Sequence, residues 1–177
     1  MRVFWQHGYA GASLEQLCAA TGLGRGSLYG TFGSKDGLFL QALQRYSDIY
    51  GARYDEALRD ADRNPMDAIA AFFGVTLARI ADPTVPDGCL VAQSTLSSPT
   101  LEPASAVRVQ EMLRRQHTRV RSALEHAHSD QGLIDELATY IVAVTQSLAV
   151  LSRGGMSTEQ LHSTVRLACE TVARQLG

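Results

Sequence analysis

Apolar residues recur at three- and four-residue steps along most of the chain, and no sustained alternation of apolar and polar positions indicates a β-strand. This period predicts amphipathic helices nearly throughout. The longest are expected at 35–62, 103–127 and 131–152. Proline, glycine and serine predict a loop at 82–88 and a break at 97–99. We therefore expect an all-α protein of about nine helices.

Helix-capping residues place several boundaries. Ser13 and Ser157 each stand three residues before a glutamine, which is the spacing of a capping box. Gly22 is suited to end the helix that Ser13 begins, because glycine adopts the left-handed conformation easily. A second short helix is expected at 25–32. Two short helices joined by a glycine-bearing turn have the form of a helix-turn-helix that reads DNA.

The first seven residues look like the end of an apolar helix that Gly8 closes. This helix begins in the middle of its pattern and without a capping residue. We therefore expect Met1 to be an internal methionine and the beginning of this helix to be missing from the sequence.

Composition is that of an ordinary soluble globular protein, with 45% apolar and 19% charged residues among 177. The net charge is −2, yet residues 1–45 carry four basic and two acidic side chains, so the remainder is at −4. A slightly basic head on an acidic body is compatible with DNA binding at one end. No apolar run approaches the roughly 20 residues that span a bilayer, and no signal peptide is evident. We expect a cytoplasmic protein without a membrane partner.

Cysteines and histidines predict neither a disulfide framework nor a metal site. Cys18, Cys89 and Cys169 are widely spaced, and reduced thiols fit a cytosolic protein. The five histidines form no zinc-binding pattern. No cofactor is expected.

Residues 8–39 resemble the tetracycline-repressor (TetR) family of bacterial regulators. The matching residues are Gly8-Tyr9, Ser13-Leu14, Leu17, Ala20-Thr21-Gly22-Leu23, Arg25-Gly26-Ser27-Leu28-Tyr29, Phe32, Ser34-Lys35 and Leu38-Phe39. The resemblance implies an all-helical homodimer that places its third helix in the DNA major groove. It also implies a transcription regulator, most often a repressor that releases its operator when a small molecule binds the body. On this view the chain is not an enzyme.

Candidate DNA contacts follow from charge and from helix ends. Arg25 can reach a guanine edge or a phosphate, Lys35 can neutralise a phosphate, and the helix N-terminus at Ser13 attracts anions. The predicted DNA-binding residues are Ser13, Leu14, Arg25, Gly26, Ser27, Tyr29, Gly30, Thr31 and Lys35.

Three positions depart from the family pattern. Gly24 stands where a serine or threonine cap is common, and Gly30 and Thr31 replace side chains that are often large. Tyr29 contacts DNA or packs at a helix junction, and the sequence leaves both open.

The resemblance divides the chain into a DNA-binding head (residues 1–45) and a ligand-binding and dimerisation body (residues 46–177). The helix at 131–152 has two faces of apolar or small residues. One is expected to pack in the core of the protomer, and the other against a second copy, so that the helices at 131–152 and 157–176 of both copies form a four-helix bundle. The alternative is that both faces are buried within one protomer. The predicted dimer contacts are Ile134, Ile141, Leu148, Leu161, Val165, Ala168 and Val172.

The middle helices carry apolar residues with a few polar groups, as small-molecule pockets do, although a plain core would look similar. The predicted ligand contacts are Phe72, Phe73, Cys89, Gln93, Met112, Leu113 and His117.

Cys89 follows Gly88 at the start of a short helix, a position that favours the thiolate. A thiol-based repressor that senses oxidants or electrophiles is therefore an alternative function, and a small buried cysteine is the simpler interpretation. A helical enzyme would need a nucleophile, a base and an orienting group, and no such set stands out. A protein-interaction module with a degenerate helix-turn-helix has only Gly24 and Gly30 in its favour.

Overall fold

Ten α-helices and one π-helical turn make up the computed structural model, which describes residues 1–97, 100–128 and 130–177 and contains no strand within them. In chain order the elements are α1 (Arg2–Gly11), α2 (Leu14–Thr21), α3 (Arg25–Phe32), α4 (Lys35–Tyr46), the π turn (Ser47–Gly51), α5 (Ala52–Ala57), α6 (Pro65–Ala81), α7 (Leu90–Leu96), α8 (Pro103–Leu124), α9 (Gln131–Arg153) and α10 (Thr158–Leu176). Because α4, the π turn and α5 are continuous, these residues form nine helical segments, and the all-α prediction is confirmed. The break expected at 97–99 falls largely outside the described residues.

The predicted helix boundaries near the N-terminus are confirmed. The Ser13 hydroxyl accepts from the Gln16 backbone N–H at 3.1 Å, and the Gln16 side chain accepts from the Ser13 N–H at 2.9 Å. Gly22 ends α2 with φ of 70°. Gly8, with φ of 72°, interrupts α1, and the helix resumes as far as Gly11. The same reciprocal cap begins α10 at Ser157.

The long connecting helix ends earlier than predicted and contains a π turn. It runs from α4 through the π turn to Ala57, five residues short of the expected end. Tyr46, Tyr50 and Tyr54 follow one another at four-residue steps across this segment and are all buried. Apolar spacing cannot reveal a π turn, because the side chains on either side of it still face the core.

Head and body share one hydrophobic core. The buried cluster runs without interruption from Phe4, Trp5 and Phe39 in the head to Phe72 and Leu124 in the body. The boundary predicted between residues 45 and 46 lies inside the continuous connecting helix, so the division into two domains stays a prediction.

Polar contacts also fix α1 to the body. Arg153, the last residue of α9, donates to the backbone carbonyls of Trp5 at 3.3 Å and Gln6 at 2.7 Å. It also donates to the Gln93 side chain of α7 at 2.9 Å. The Trp5 indole N–H donates to the Asp87 carbonyl at 3.2 Å. Carbonyls near the break in α1 thus obtain partners that the helix cannot supply.

The helix α9 is more apolar than the sequence analysis allowed, since its length and composition alone would let it cross a membrane. In the structure it packs against α6, α7, α8 and α10. These four helices therefore cover both apolar stripes of α9.

This packing corrects most of the predicted dimer contacts. Six of the seven side chains are at most 2% exposed in the protomer and have no surface left for a partner; they are Ile134, Ile141, Leu148, Leu161, Ala168 and Val172. Val165 is half-buried. Periodicity shows that a stripe is buried but not which neighbour covers it, and here the neighbour belongs to the same chain.

Gly37 provides a test of the junction between α3 and α4. A Cβ at this position would overlap the Phe32 carbonyl oxygen. We expect Gly37→Ala to lower the free energy of unfolding by about 1–3 kcal/mol, as overpacking does. Urea unfolding followed by circular dichroism measures the change.

The matched control is Gly74→Ala in α6, where a Cβ would meet no atom within 4 Å. We expect this change to stabilise the protein by about 0.4–1 kcal/mol, because alanine restricts the unfolded chain. Equal stability of the two variants would show that the α3–α4 junction does not require glycine.

Candidate nucleic-acid interface

Helix α3 exposes most of its surface. Leu28 is its one fully buried side chain, and Phe32 is half-buried beside it. The predicted DNA-binding residues of this helix all face outward, and they are Arg25, Gly26, Ser27, Tyr29, Gly30 and Thr31. One leucine and one phenylalanine thus hold a short helix against the core while six of its eight residues remain available to a partner.

Two glycines leave part of the outer face of α3 without side chains. A Cβ at Gly26 or at Gly30 would meet no atom within 4 Å, so the packing of this protein does not require glycine there. A bare backbone permits close approach of another molecule. Gly24 begins α3 without a side-chain hydrogen bond, in keeping with the weaker cap that its sequence indicates.

Tyr29 is 39% exposed, and its hydroxyl makes no hydrogen bond within the described residues. Arg25 lies one helical turn before it on the same side of α3, and both side chains are exposed. This exposure favours contact with an outside partner over packing at a helix junction.

Lys35 lies at the start of α4, where its ammonium group sits 5.0 Å from the centre of the Tyr9 ring. Burial lowers the pKa of Lys35 from its ordinary value. The Tyr9 ring packs on Phe39 with ring centres 5.0 Å apart. A cation–π contact therefore orients this lysine beside the exposed end of α3.

The N-terminus of α2 adds two of the predicted contacts. Ser13 is exposed, Leu14 is half-buried, and the Ser13 oxygen is already engaged in the capping box. Glu15 occupies the same first turn and opposes the attraction of this helix end for an anion.

A second polar cluster lies inside the body, between α4, the π turn, α6 and α7. Arg79 is only 3% exposed, and its guanidinium donates to the Tyr46 hydroxyl. The Tyr46 oxygen is in turn 3.2 Å from the sulfur of Cys89. The guanidinium lies 5.6 Å from the centre of the Tyr50 ring and 6.0 Å from that of Trp5. We call Arg79, Tyr46 and Cys89 the arginine–thiol cluster.

The arginine–thiol cluster favours an ionised sulfur. Burial is the largest influence on the pKa of Cys89 and raises it, but the charge of Arg79, the Tyr46 hydroxyl and the Ala92 backbone N–H together hold this pKa below its ordinary value. Burial raises the pKa of the Tyr46 hydroxyl well above its usual range. At neutral pH Tyr46 therefore remains a hydrogen-bond donor, and the sulfur is the group that ionises.

A small cavity of about 40 Å³ opens beside this cluster, enough for a few water molecules. Its lining includes Tyr46, Tyr50, Tyr54, Cys89, Met112 and Gln116. Cys89 also lines a second cavity on its other side, together with Gln93 and Arg153.

Most of the predicted ligand contacts lie away from the first cavity. Of the seven, Cys89 and Met112 line it. Phe72 and Phe73 are completely buried and pack as core, with the Phe72 ring 4.7 Å from that of Tyr54.

The three remaining residues also lie away from the first cavity, and the ligand contacts stay a prediction. Gln93 binds Arg153 and reaches only the second cavity. Leu113 is half-buried, and His117 turns toward α9, where its Nε2 is 3.2 Å from the Thr139 hydroxyl. His117 therefore lies on the side of α8 that faces α9, which a sequence stripe cannot distinguish from a side that lines a cavity.

Sequence analysis missed Arg79 and the three buried tyrosines as members of a site. The four-residue spacing of Tyr46, Tyr50 and Tyr54 was the signal that the sequence offered. A buried arginine gives no such signal, because its burial depends on elements far apart in the chain. Within the described residues no group of three histidine, cysteine or acidic side chains could hold a metal ion.

Comparison with known families gives two matches. Residues 1–42 match the model of bacterial regulatory proteins of the tetR family, and residues 65–168 match the tetracyclin repressor-like C-terminal domain. The HTH-type transcriptional repressor ComR of Escherichia coli (strain K12) is 30% identical over 184 residues, which cover 97% of this chain and 86% of ComR.

Solved structures of bacterial regulators are similar to this chain as well. The TetR family transcriptional regulator CifR, a cysteine mutant complexed with 26-bp double-strand operator DNA, has a TM-score of 0.84 at 31% identity, over 96% of this chain and 91% of that chain. The reduced form of E. coli NemR has a TM-score of 0.78 at 21% identity, over 94% and 89% of the two chains, and shows likeness of fold.

Proposed function

The chain belongs to the TetR family of bacterial regulatory proteins and is a DNA-binding transcriptional repressor, and we propose that it works as a homodimer whose operator is released when a small molecule binds the body. The observation that carries the DNA-binding role is α3, which exposes six of its eight residues while Leu28 anchors it. Its curated relatives are transcriptional regulators rather than enzymes. We assign it no catalytic role and place it in the cytoplasm.

In the proposed complex α3 enters the major groove. Arg25 contacts a base edge or a phosphate, and Lys35, held by Tyr9, contacts a phosphate. Gly26 and Gly30 let the helix backbone come close to the DNA, and Ser13, Leu14, Ser27, Tyr29 and Thr31 complete the surface. Two copies present their α3 helices about 34 Å apart to reach successive major grooves.

The proposed dimer surface is the outward face of α9 and α10. Tyr140, Val150 and Leu167 are three of the five large apolar side chains that the described residues leave exposed. Along α9, Tyr140, Ala143, Ser147 and Val150 follow at steps of three and four and are all exposed. Pairing two such faces would give a four-helix bundle and cover these side chains.

The docking surface is tested by the double substitution Arg25→Ala with Lys35→Ala. We expect operator affinity to be lost and the salt dependence of any residual binding to fall by one or two phosphate contacts per protomer, since each contact contributes a slope of about 0.9. Fluorescence anisotropy with DNA from upstream of the coding region, repeated at several salt concentrations, measures both.

Arg63→Ala with Arg114→Ala removes two exposed cations of the body and is the matched control. This control should bind as the unmodified protein does, and sedimentation should show all three proteins as dimers. Unchanged affinity of the Arg25 and Lys35 variant would rule out this docking face.

The dimer surface is tested by Val150→Glu. This side chain is 53% exposed in the protomer, and burying a carboxylate between two copies should produce monomers in sedimentation equilibrium. Val107→Glu is the control, because Val107 is 56% exposed on α8 and lies outside the proposed surface. A Val150→Glu protein that remains dimeric would place the interface elsewhere.

A second candidate function is a repressor that senses oxidants or electrophiles through Cys89. The contacts of its sulfur with Tyr46 and the neighbouring Arg79 favour it, since cysteine reactivity follows the thiolate. We expect Cys89→Ser to lose most of any release from DNA caused by a mild oxidant such as diamide. Cys18→Ser and Cys169→Ser should respond as the unmodified protein does, and a full response of Cys89→Ser would refute thiol sensing.

A further inference from the structure

Arg79 is a buried cation without a carboxylate. It lies in the interior at 3% exposure, and within the described residues it forms no ion pair with an acidic side chain. Its Nε has no hydrogen-bond partner there. Arginine keeps its charge under all ordinary conditions, so a position of this kind needs an anion close by.

The sulfur of Cys89 is the group that can supply this anion. Tyr46 bridges the two, because its hydroxyl accepts from the Arg79 guanidinium and lies 3.2 Å from the sulfur. The other titratable and charged side chains that line the two cavities are basic or phenolic, and the acids nearest to them are Asp55, paired with Arg119, and Asp82, near Tyr50. The basic and phenolic side chains are Tyr50 of the π turn, Tyr54 of α5, Arg115 and Arg119 of α8, and Arg153 of α9.

We propose that Arg79 is a positioning residue that holds Cys89 as a thiolate, that small uncharged electrophiles modify this sulfur covalently, and that loss of its charge frees Arg79 and loosens α1 of the DNA-binding head. The proposal deepens the thiol-sensing candidate function and rests on it. It adds the residue that activates the sulfur, the chemical class of the modifier and the route by which modification reaches DNA binding.

Access to the sulfur restricts the modifier. Cys89 is only 8% exposed, but it borders cavities on both sides. The first holds about 40 Å³ and the second about 320 Å³, so a small molecule can come within reach of the sulfur. Arg115 lines the first cavity and disfavours a cationic reagent, whereas the charge of Arg119 there is paired with Asp55.

The chemical step removes one negative charge from the site. With iodoacetamide as the probe, the thiolate electron pair attacks the methylene carbon and forms the S–C bond. The C–I bond breaks, and its electron pair leaves with iodide. The product is a neutral thioether, so Arg79 keeps its positive charge and loses its counter-charge.

Trp5 connects this event to the head. Its ring centre is 6.0 Å from the Arg79 guanidinium, and its indole N–H donates to the carbonyl of Asp87, two residues before Cys89. Trp5, which belongs to α1, therefore contacts the guanidinium and the segment that leads to Cys89. A buried guanidinium that has lost its counter-anion is stable only where water can solvate it. When it moves away from Trp5, it disturbs the packing that holds α1 to the body.

The first experiment measures the rate of iodoacetamide alkylation against pH, with each cysteine followed separately by peptide mass spectrometry. For Cys89 we expect a midpoint at least one pH unit below that of the same cysteine in urea-unfolded protein. Arg79→Met should raise the native midpoint by at least one unit, which is a tenfold loss of thiolate at neutral pH, and Arg79→Lys should restore part of the shift.

Cys18 and Cys169 serve as internal controls whose profiles should not change between these variants. A Cys89 midpoint that coincides in native and unfolded protein overturns the proposal even if Arg79→Met does not fold. A midpoint that Arg79→Met leaves unchanged overturns it as well. Neither measurement involves DNA, so a failure here is distinct from a failure of the DNA-binding function.

The second experiment tests the connection to the head. Operator affinity is measured by anisotropy before and after alkylation of Cys89. We expect a loss of at least fivefold in the unmodified protein and in Arg79→Lys. In Arg79→Met we expect less than a twofold change after alkylation forced to completion, because no buried cation is left to displace. An equal loss with and without Arg79 would show that steric bulk, rather than charge, carries the signal.

Discussion

The packing of the head against the body depends on the buried guanidinium of Arg79. This guanidinium contacts Trp5 of α1, Tyr46 of α4 and Tyr50 of the π turn, so three elements are arranged around one charge. Removing such a charge from water costs several kcal/mol unless polar groups and an anion replace the solvent. The aromatic faces, the Tyr46 oxygen and the adjacent sulfur of Cys89 provide that replacement.

The surrounding contacts make the head an extension of the body rather than an independent module. Arg153 holds the carbonyls of Trp5 and Gln6, and Ser105 of α8 donates to Asp36 at the start of α4. Arg108 of α8 donates to Gln44 at 2.6 Å. Helix α3 has few contacts of its own beyond Leu28 and Phe32, so its position follows α2 and α4. A shift of α1 or α4 by the body is therefore a shift of the DNA-binding surface.

The sequence predicted those features of the fold that depend on residues close together in the chain. The caps at Ser13 and Ser157 and the breaks at Gly8 and Gly22 depend on residues three or four positions apart, and the structure confirms them. The outward face of α3 was also predictable, because a short helix with one buried leucine has few ways to pack. The resemblance around Arg25 supplied the function that such a helix serves.

What the sequence did not reveal depends on contacts between distant elements. Tyr46 and Arg79 are 33 positions apart, and Tyr46 and Cys89 are 43 apart, so no periodicity connects them. The same limit explains the misplaced dimer contacts. The apolar stripes of α9 are real, but α6, α7, α8 and α10 of the same protomer cover them.

The position of Cys89 unites the two modes of release proposed for this repressor. Its sulfur borders both cavities, and α7 begins at the next residue and packs against α1. In the proposed mechanism, a molecule that fills the first cavity would push on Tyr46 and Tyr50, whereas a covalent modifier would remove the charge that these tyrosines help to balance. Both events would act on the packing around Arg79 and would reach the head through Trp5. Under this proposal, non-covalent binding and thiol chemistry are two inputs to the same contact between head and body.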